Sequence, residues 1–208
     1  GKYEEIDQKI KEKYINKTLN STNHLIKLVN ELLDVSQMEI GKKPLDIKFI
    51  NIRNIIEGII KELQSDIKAK NLIIKIIPEN KEEWPILPAD QEKLSVVFSN
   101  LINNAVKYTP LINSRQTPQI VIQGKKINSL YQISIKDEGI GINPEEVPSL
   151  FTKYFESGEQ AQKLYATGRG IGLFIAARFI KALNGKIWAE SRRIGKGATF
   201  YVELPLTT

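Results

Sequence analysis

The stretch "NLINNAVKYTP", residues 100–110, places Asn100, Asn103 and Asn104 close together and Lys107 shortly after them. Asparagine is a mediocre helix former, so propensity alone does not ask for three of them in one helical turn and a half. Residues four apart share a helix face, which aligns Asn100 with Asn104, and Lys107 lies three positions beyond Asn104 on the same side. Two amide oxygens and an ammonium on one face suit a hydrated Mg²⁺ and the phosphates that it bridges, because Mg²⁺ takes oxygen ligands and keeps several waters. The blander reading is a solvated polar stripe opposite Leu101, Ile102 and Val106.

Two glycine-punctuated stretches could complete such a site. "DEGIGI", residues 137–142, follows the alternating run "QISIK". Asp137 at a strand end can accept a hydrogen bond from an exocyclic amine of the kind adenine offers. Gly139 and Gly141, on either side of Ile140, let the backbone approach a ligand closely. A tight turn explains most such glycine pairs. "GRGIGLFIAARFI", residues 168–180, opens a helix with Gly168, Gly170 and Gly172, interleaved with Arg169 and Ile171 and followed by Leu173. N–H groups without a Cβ in the way, at the positive end of a helix, make an anion site. The spacing is neither the dinucleotide fingerprint nor a P-loop. Between the two lies "LFTKYFESGEQAQKLYAT", long and polar with aromatic anchors at Phe151 and Phe155, which reads as a lid.

The elements that must position these residues are legible from periodicity. Residues 3–40 read as one helix, with Leu25, Leu28, Leu32 and Val35 at pairing-seam spacing and Gly41 as its C-cap. A rod of roughly 55 Å with one apolar stripe needs partner helices. From residue 44 the texture changes. "LDIKFI" alternates like a strand, residues 51–71 are helical, "LIIKIIP" is a strand, and residues 86–109 read as a turn and a helix. "QIVIQGKK" and "LYQISIKDEG" form a hairpin turning at Asn128–Ser129. The helix "GLFIAARFIKALN" and a last hairpin, "GKIWAES…GATFYVELP", close the chain. Trp84 reads as a loop or edge aromatic and Trp188 as core. The organisation is a helical segment at 1–43 and a mixed α/β domain at 44–208.

Composition narrows the classes. Among 208 residues there is no cysteine, which excludes disulfides and thiolate metal sites. No apolar run approaches the roughly 20 residues of a membrane helix, and the charged N-terminus shows no signal peptide. The chain begins with Gly rather than Met and reads as cut from a longer protein, so a membrane segment in the parent stays open. The net charge of +6 is scattered. Without a basic stripe bearing stacking aromatics it does not indicate nucleic acid.

In order, an asparagine helix, D-x-G-x-G, a phenylalanine loop and G-x-G-x-G-L resemble the N, G1, F and G2 boxes of the ATP-binding domain of sensor histidine kinases, within the GHKL superfamily. "PADQEKLSVVFSNLINNAVKYTP" and "GKIWAESRRIGKGATFYVELP" are similar to the histidine-kinase branch in particular. "LIKLVNELLDVSQMEIGK" resembles the second helix of its dimerisation and phosphotransfer domain. The resemblance implies an α+β fold: a two-layer α/β sandwich of the Bergerat type, with a mixed sheet on helices, preceded by a long N-terminal helix. It implies ATP and Mg²⁺ as cofactors, with Asn104 the metal ligand, Asn100 supporting the metal and phosphate shell, and Lys107 on phosphate. Tyr108 would pack on the adenine or ribose, Asp137 accept from the adenine amine, and Gly139, Ile140 and Gly141 form the wall. Gly168, Arg169, Gly170, Ile171, Gly172 and Leu173 would wrap the phosphates under the lid of Phe151 and Phe155, and Thr199 would reach the adenine side.

The partners implied are ATP or ADP, the phosphoacceptor helix of the same kinase, a response-regulator receiver domain and a second copy in the full-length protein. The implied location is the cytoplasmic side, with a membrane-anchored sensor among the parents that fit. In the ATPase branches a glutamate stands at the place of Asn100. An amide cannot act as a general base, so the implied chemistry is transfer to another nucleophile rather than hydrolysis. The single histidine, His24, lacks the sequence that follows a phosphoacceptor and reads as a surface or bundle residue, which puts the acceptor on a helix outside this chain. Glu156 stands near a place where the family often has arginine, which Lys153 or Lys163 could replace, and Arg169 where it often has a small polar residue. A non-catalytic ATP-binding module and a GHKL ATPase are the alternatives.

Overall fold

The computed structural model describes residues 2–110, 117–152 and 171–207. The chain divides into two compact units, Gly1–Lys43 and Pro44–Thr208. The first is helix α1, Lys2–Glu39. It ends where the sequence predicts, at Gly41 with φ +70°. The Lys42 N–H donates to Gln37 O at 2.9 Å and the Gly41 N–H to Met38 O at 3.0 Å, the paired bonds of a Schellman cap. Along α1 the side chains of Ile10, Tyr14, Leu25, Ile26, Val29 and Leu33 are exposed. No described helix is long and apolar enough to cross a membrane.

The second unit runs β1 (Ile47–Asn51), α2 (Ile52–Glu62), α3 (Gln64–Ala69), β2 (Ile73–Ile77), β3 (Ile86–Asp90), α4 (Gln91–Tyr108), β4 (Gln119–Ile127), β5 (Leu130–Asp137), α5 (Ile171–Ala182), β6 (Lys186–Glu190) and β7 (Thr199–Pro205). β1 and β3 form an antiparallel pair. The other five strands form a sheet in the order β2-β4-β5-β7-β6. β2 runs parallel to β4 and the remaining pairs are antiparallel, which makes the sheet mixed.

Strand alternation separates the faces. Ile120 and Ile122 of β4, Ile133 and Ile135 of β5, and Phe200, Val202 and Leu204 of β7 are buried. Ile56, Leu94, Phe98, Leu101, Ile102, Ile175 and Phe179 supply the core from α2, α4 and α5. Those helices form one layer and the sheet the other. On the intervening strand positions Gln132 donates to Glu203 at 2.9 Å.

Three expectations are corrected. The helix expected over 51–71 is interrupted at Leu63, which is at once the C-cap of α2 and the N-cap of α3. The i→i−4 bonds Leu63 to Ile59 and Ile67 to Leu63 still carry the chain across the bend. Residues 86–90, expected as a turn, are strand β3. Pro88 lacks a donor and misleads a local reading, but a two-stranded ribbon tolerates it opposite Phe49. The two tryptophans exchange roles. Trp84 is 2% exposed, meets Tyr131 edge-on at 5.6 Å and donates its indole N–H to Pro78 O. Trp188 lies half-buried, stacked on Tyr201 at 4.9 Å and 9°.

Tyr131 carries a buried hydroxyl with no partner among the described residues. Burial pushes its pKa up to about 12. An unsatisfied buried hydroxyl costs about 1–3 kcal/mol. Tyr131→Phe, which keeps the ring against Trp84, is therefore expected to raise unfolding free energy by about 1 kcal/mol in urea titration. A loss of that size would mean the hydroxyl has a partner in solution.

Candidate nucleotide-binding site

Helix α4 organises the site. Asp90 caps its start, its Oδ1 accepting from the Lys93 N–H at 3.1 Å while Oδ2 accepts from the Asp46 N–H at 3.0 Å. At the other end Thr109 donates both N–H and Oγ1–H to Ala105 O, at 3.1 and 2.7 Å. With Leu94, Phe98, Leu101, Ile102 and Val106 buried, Asn100, Asn104, Lys107 and Tyr108 are left half-buried on the neighbouring face. Asn103 takes no part in that face. It is exposed and donates back to Ser99 O and Oγ at 2.8 and 3.0 Å.

Asn100 meets the start of α5. A Cβ on Gly172 would stand 2.5 Å from Asn100 Oδ1 and 2.9 Å from its Cγ, so a larger residue there would have to displace the Asn100 amide. Ile171 is half-buried beside it and Leu173 is buried. One turn along α4 from Asn100 stands Asn104, and beyond it the Lys107 ammonium lies 5.0 Å from the centroid of the Tyr108 ring.

At the far end of α4, β5 delivers Asp137. Its side chain is buried, and its Oδ1 accepts from the N–H groups of Gly139 at 2.8 Å and Ala198 at 3.3 Å. Burial pushes the carboxyl pKa up to about 6, against the opposing pull of those two N–H groups. Those bonds occupy Oδ1 and, among the described residues, leave Oδ2 as the acceptor for a ligand. Gly139 stands where a Cβ would lie 2.6 Å from Asp137 Oδ1 and 2.7 Å from Tyr108 O. The Ile140 N–H donates to that same Tyr108 carbonyl at 3.1 Å, which ties the loop to the helix end.

The turn before β7 clasps this loop. Gly195 N–H donates to Ile140 O at 2.6 Å, Gly197 N–H to Gly139 O at 3.0 Å and Asp137 N–H to Ala198 O at 2.9 Å. Ser191 Oγ accepts from the Ile142 N–H at 2.9 Å and donates to Gly197 O at 2.8 Å. Gly141 takes φ +69° and Gly197 φ +67° to make the clasp. Thr199 follows directly, opposite Lys136, and the Phe151 ring meets Phe200 edge-on at 6.4 Å.

The structure thus gathers Tyr108, Asp137, Gly139, Ile140, Gly141 and Thr199 at one end of α4, and Asn100 with Gly172 two turns back. Phe155, Gly168, Arg169, Gly170 and the rest of the lid stretch, with Lys153, Glu156 and Lys163, lie outside the described residues, as does the side chain of His24. Ser191, Gly195 and Gly197 are additional members. Their glycine spacing before a strand is a signal, but one that any turn could give. Among the described residues no three His, Cys, Asp or Glu side chains cluster as a metal cage. The amides of Asn100 and Asn104 fit Mg²⁺ held chiefly by phosphates and water, with few protein ligands.

The domain is a two-layer α+β fold with a buried acceptor beside one glycine approach and a second glycine approach along the same helix. Residues 89–208 match the family described as histidine kinase-, DNA gyrase B-, and HSP90-like ATPase, and the chain belongs to that family. Over 197 residues it is 30% identical to the autoinducer 2 sensor kinase/phosphatase LuxQ of Vibrio vulnificus (strain YJ016), covering 93% of this chain and 22% of that protein. Full-length ShkA in complex with AMPPNP shares the fold at TM-score 0.69 and 23% identity, over 91% of this chain and 37% of that one. Histidine kinase ThkA in complex with response regulator protein TrrA does so at TM-score 0.67 and 24% identity, over 94% and 51%.

Proposed function

We propose that this chain is the ATP-binding catalytic domain of a two-component sensor histidine kinase, residues 44–208, joined to the second helix of its dimerisation and phosphotransfer domain, residues 1–43. Its reaction moves the γ-phosphoryl of ATP to a histidine Nε on another helix and releases ADP. The observation that carries this is the span of α4. Asp137, with Oδ2 left for a ligand, lies by Tyr108 at one end and the Asn100 amide lies close to Gly172 eight residues before Tyr108, a rise of about 12 Å along the helix that suits an elongated ligand. Asp137 accepts from the purine amine, Lys107 offsets phosphate charge, and Asn104 with Asn100 holds Mg²⁺. That ion, when bound, neutralises charge on the phosphates.

The amide of Asn100 cannot draw a proton from water, so the site favours transfer over hydrolysis. The similarity to a sensor kinase, and the solved relatives bound to AMPPNP and to a response regulator, support ATP and a receiver domain as partners. Exposed apolar side chains along α1 support pairing with the acceptor helix and a second copy. A place on the cytoplasmic side follows from the same reading.

Titration with AMPPNP is expected to show binding that tightens with Mg²⁺. Addition of an acceptor helix from the same kinase, with ATP, is expected to yield acid-labile phosphate on that helix. Absence of nucleotide binding overturns the proposal. Binding without transfer points to a regulatory module, and steady ATP turnover without acceptor points to an ATPase.

A further inference from the structure

The C-terminal end of α4 has a second anchor, and it comes from far away in the sequence. The last four carbonyls of a helix lack intrahelical partners and must find others. Here each one does. Tyr108 O receives the Ile140 N–H. Val106 O and Lys107 O both receive the ammonium of Lys70, each at 2.7 Å, and Lys70 reaches Thr109 O as well, at 2.9 Å. An ammonium has three donors, and three carbonyls match them. It is also a cation placed at the negative end of a helix dipole.

We propose that Lys70 is a positioning residue for the purine end of the pocket. By gathering the carbonyls of residues 106, 107 and 109, it fixes the backbone on both sides of Tyr108 and so presents the Tyr108 carbonyl to the Ile140 N–H. That bond sets the gap between α4 and the Gly139–Gly141 loop in which Asp137 works. Lys70 stands at the end of α3, where Asn71 turns the chain with φ +51° into β2. The α3–β2 corner is thereby coupled to the ligand site without touching the ligand. Burial lowers the Lys70 pKa, and Asp66 opposes that shift.

This inference rests on the nucleotide reading above, and the test separates the two. ADP affinity and amide hydrogen exchange are measured for the wild type, Lys70→Met and Lys70→Arg. Lys70→Met is expected to weaken ADP binding about tenfold. It should also speed exchange of the Ile140 amide well beyond that of Ile133 in the core of β5. Lys70→Arg keeps the charge and should recover most of the affinity. Should Lys70→Met not fold, Lys70→Gln carries the same comparison. Wild-type affinity in a folded Lys70→Met or Lys70→Gln, or equal acceleration at Ile140 and Ile133, overturns the positioning role while leaving the nucleotide reading intact. A wild type that does not bind ADP overturns both.

Discussion

Asp137→Asn is expected to stabilise the ligand-free domain at neutral pH and to abolish purine recognition in the same step. The carboxyl is 5% exposed, and burial raises its pKa from 3.8 to about 6. A group whose folded pKa lies above its unfolded one adds stability only while protonated. That contribution is complete below pH 3.8 and is lost as pH rises through about 6. Above that window the wild type holds a buried carboxylate at a cost of up to about 3 kcal/mol, taking about 1.4 kcal/mol per pKa unit.

An asparagine keeps an oxygen for the Gly139 and Ala198 N–H groups and carries no charge. Its gain over the wild type should therefore be near zero at pH 4 and approach about 2–3 kcal/mol at pH 7.5 in urea unfolding. At the ligand-facing position the amide can present a donor where the purine amine needs an acceptor. Adenosine, whose lack of phosphate removes a competing titration, should bind at least about a hundredfold more weakly. A stability gain independent of pH would refute the burial argument, and undiminished adenosine binding would refute the pocket.

How far these residues could be read without coordinates follows from how local their causes are. Asn100 and Asn104 share a face because helical periodicity requires it. Asp137 ends β5 because alternation stops at a glycine, and Asn128 turns the β4–β5 hairpin with φ +53° because asparagine tolerates that conformation. Those causes lie within a few residues. Trp84 and Trp188 changed places because burial is decided by the register of strands distant in sequence: Trp188 stands opposite Tyr201, on the face away from the core. β3 was hidden for a similar reason, since five residues containing Pro88 become a strand only once β1 lies alongside. Ser191 and Lys70 are less legible still. Ser191 bonds Ile142 across 49 positions, and the contacts of Lys70 span 36 to 39. Nothing in their neighbourhood marks either one.

The same locality shapes the outcome expected for Asn104→Ala. The side chain is half-buried on α4, and alanine is the better helix former, so unfolding free energy should change by less than about 0.5 kcal/mol. The effect on ligand binding should be large. With no carboxylate or imidazole cluster among the described residues, a divalent cation at this face depends on neutral amide oxygens and on the phosphates it arrives with. Cation and nucleotide must then bind together, and each strengthens the other by the same factor. Asn100 lies close to Gly172 at the start of α5, and Asn104 stands one turn further along the same face to meet the ion with it. Removing its oxygen breaks the coupling rather than the pocket. AMPPNP titrated without Mg²⁺ should bind Asn104→Ala as it binds the wild type, whereas the tightening on addition of Mg²⁺ should disappear. If Mg²⁺ tightens binding to Asn104→Ala as much as to the wild type, the ion is held elsewhere. If both titrations weaken together, Asn104 contacts the nucleotide itself.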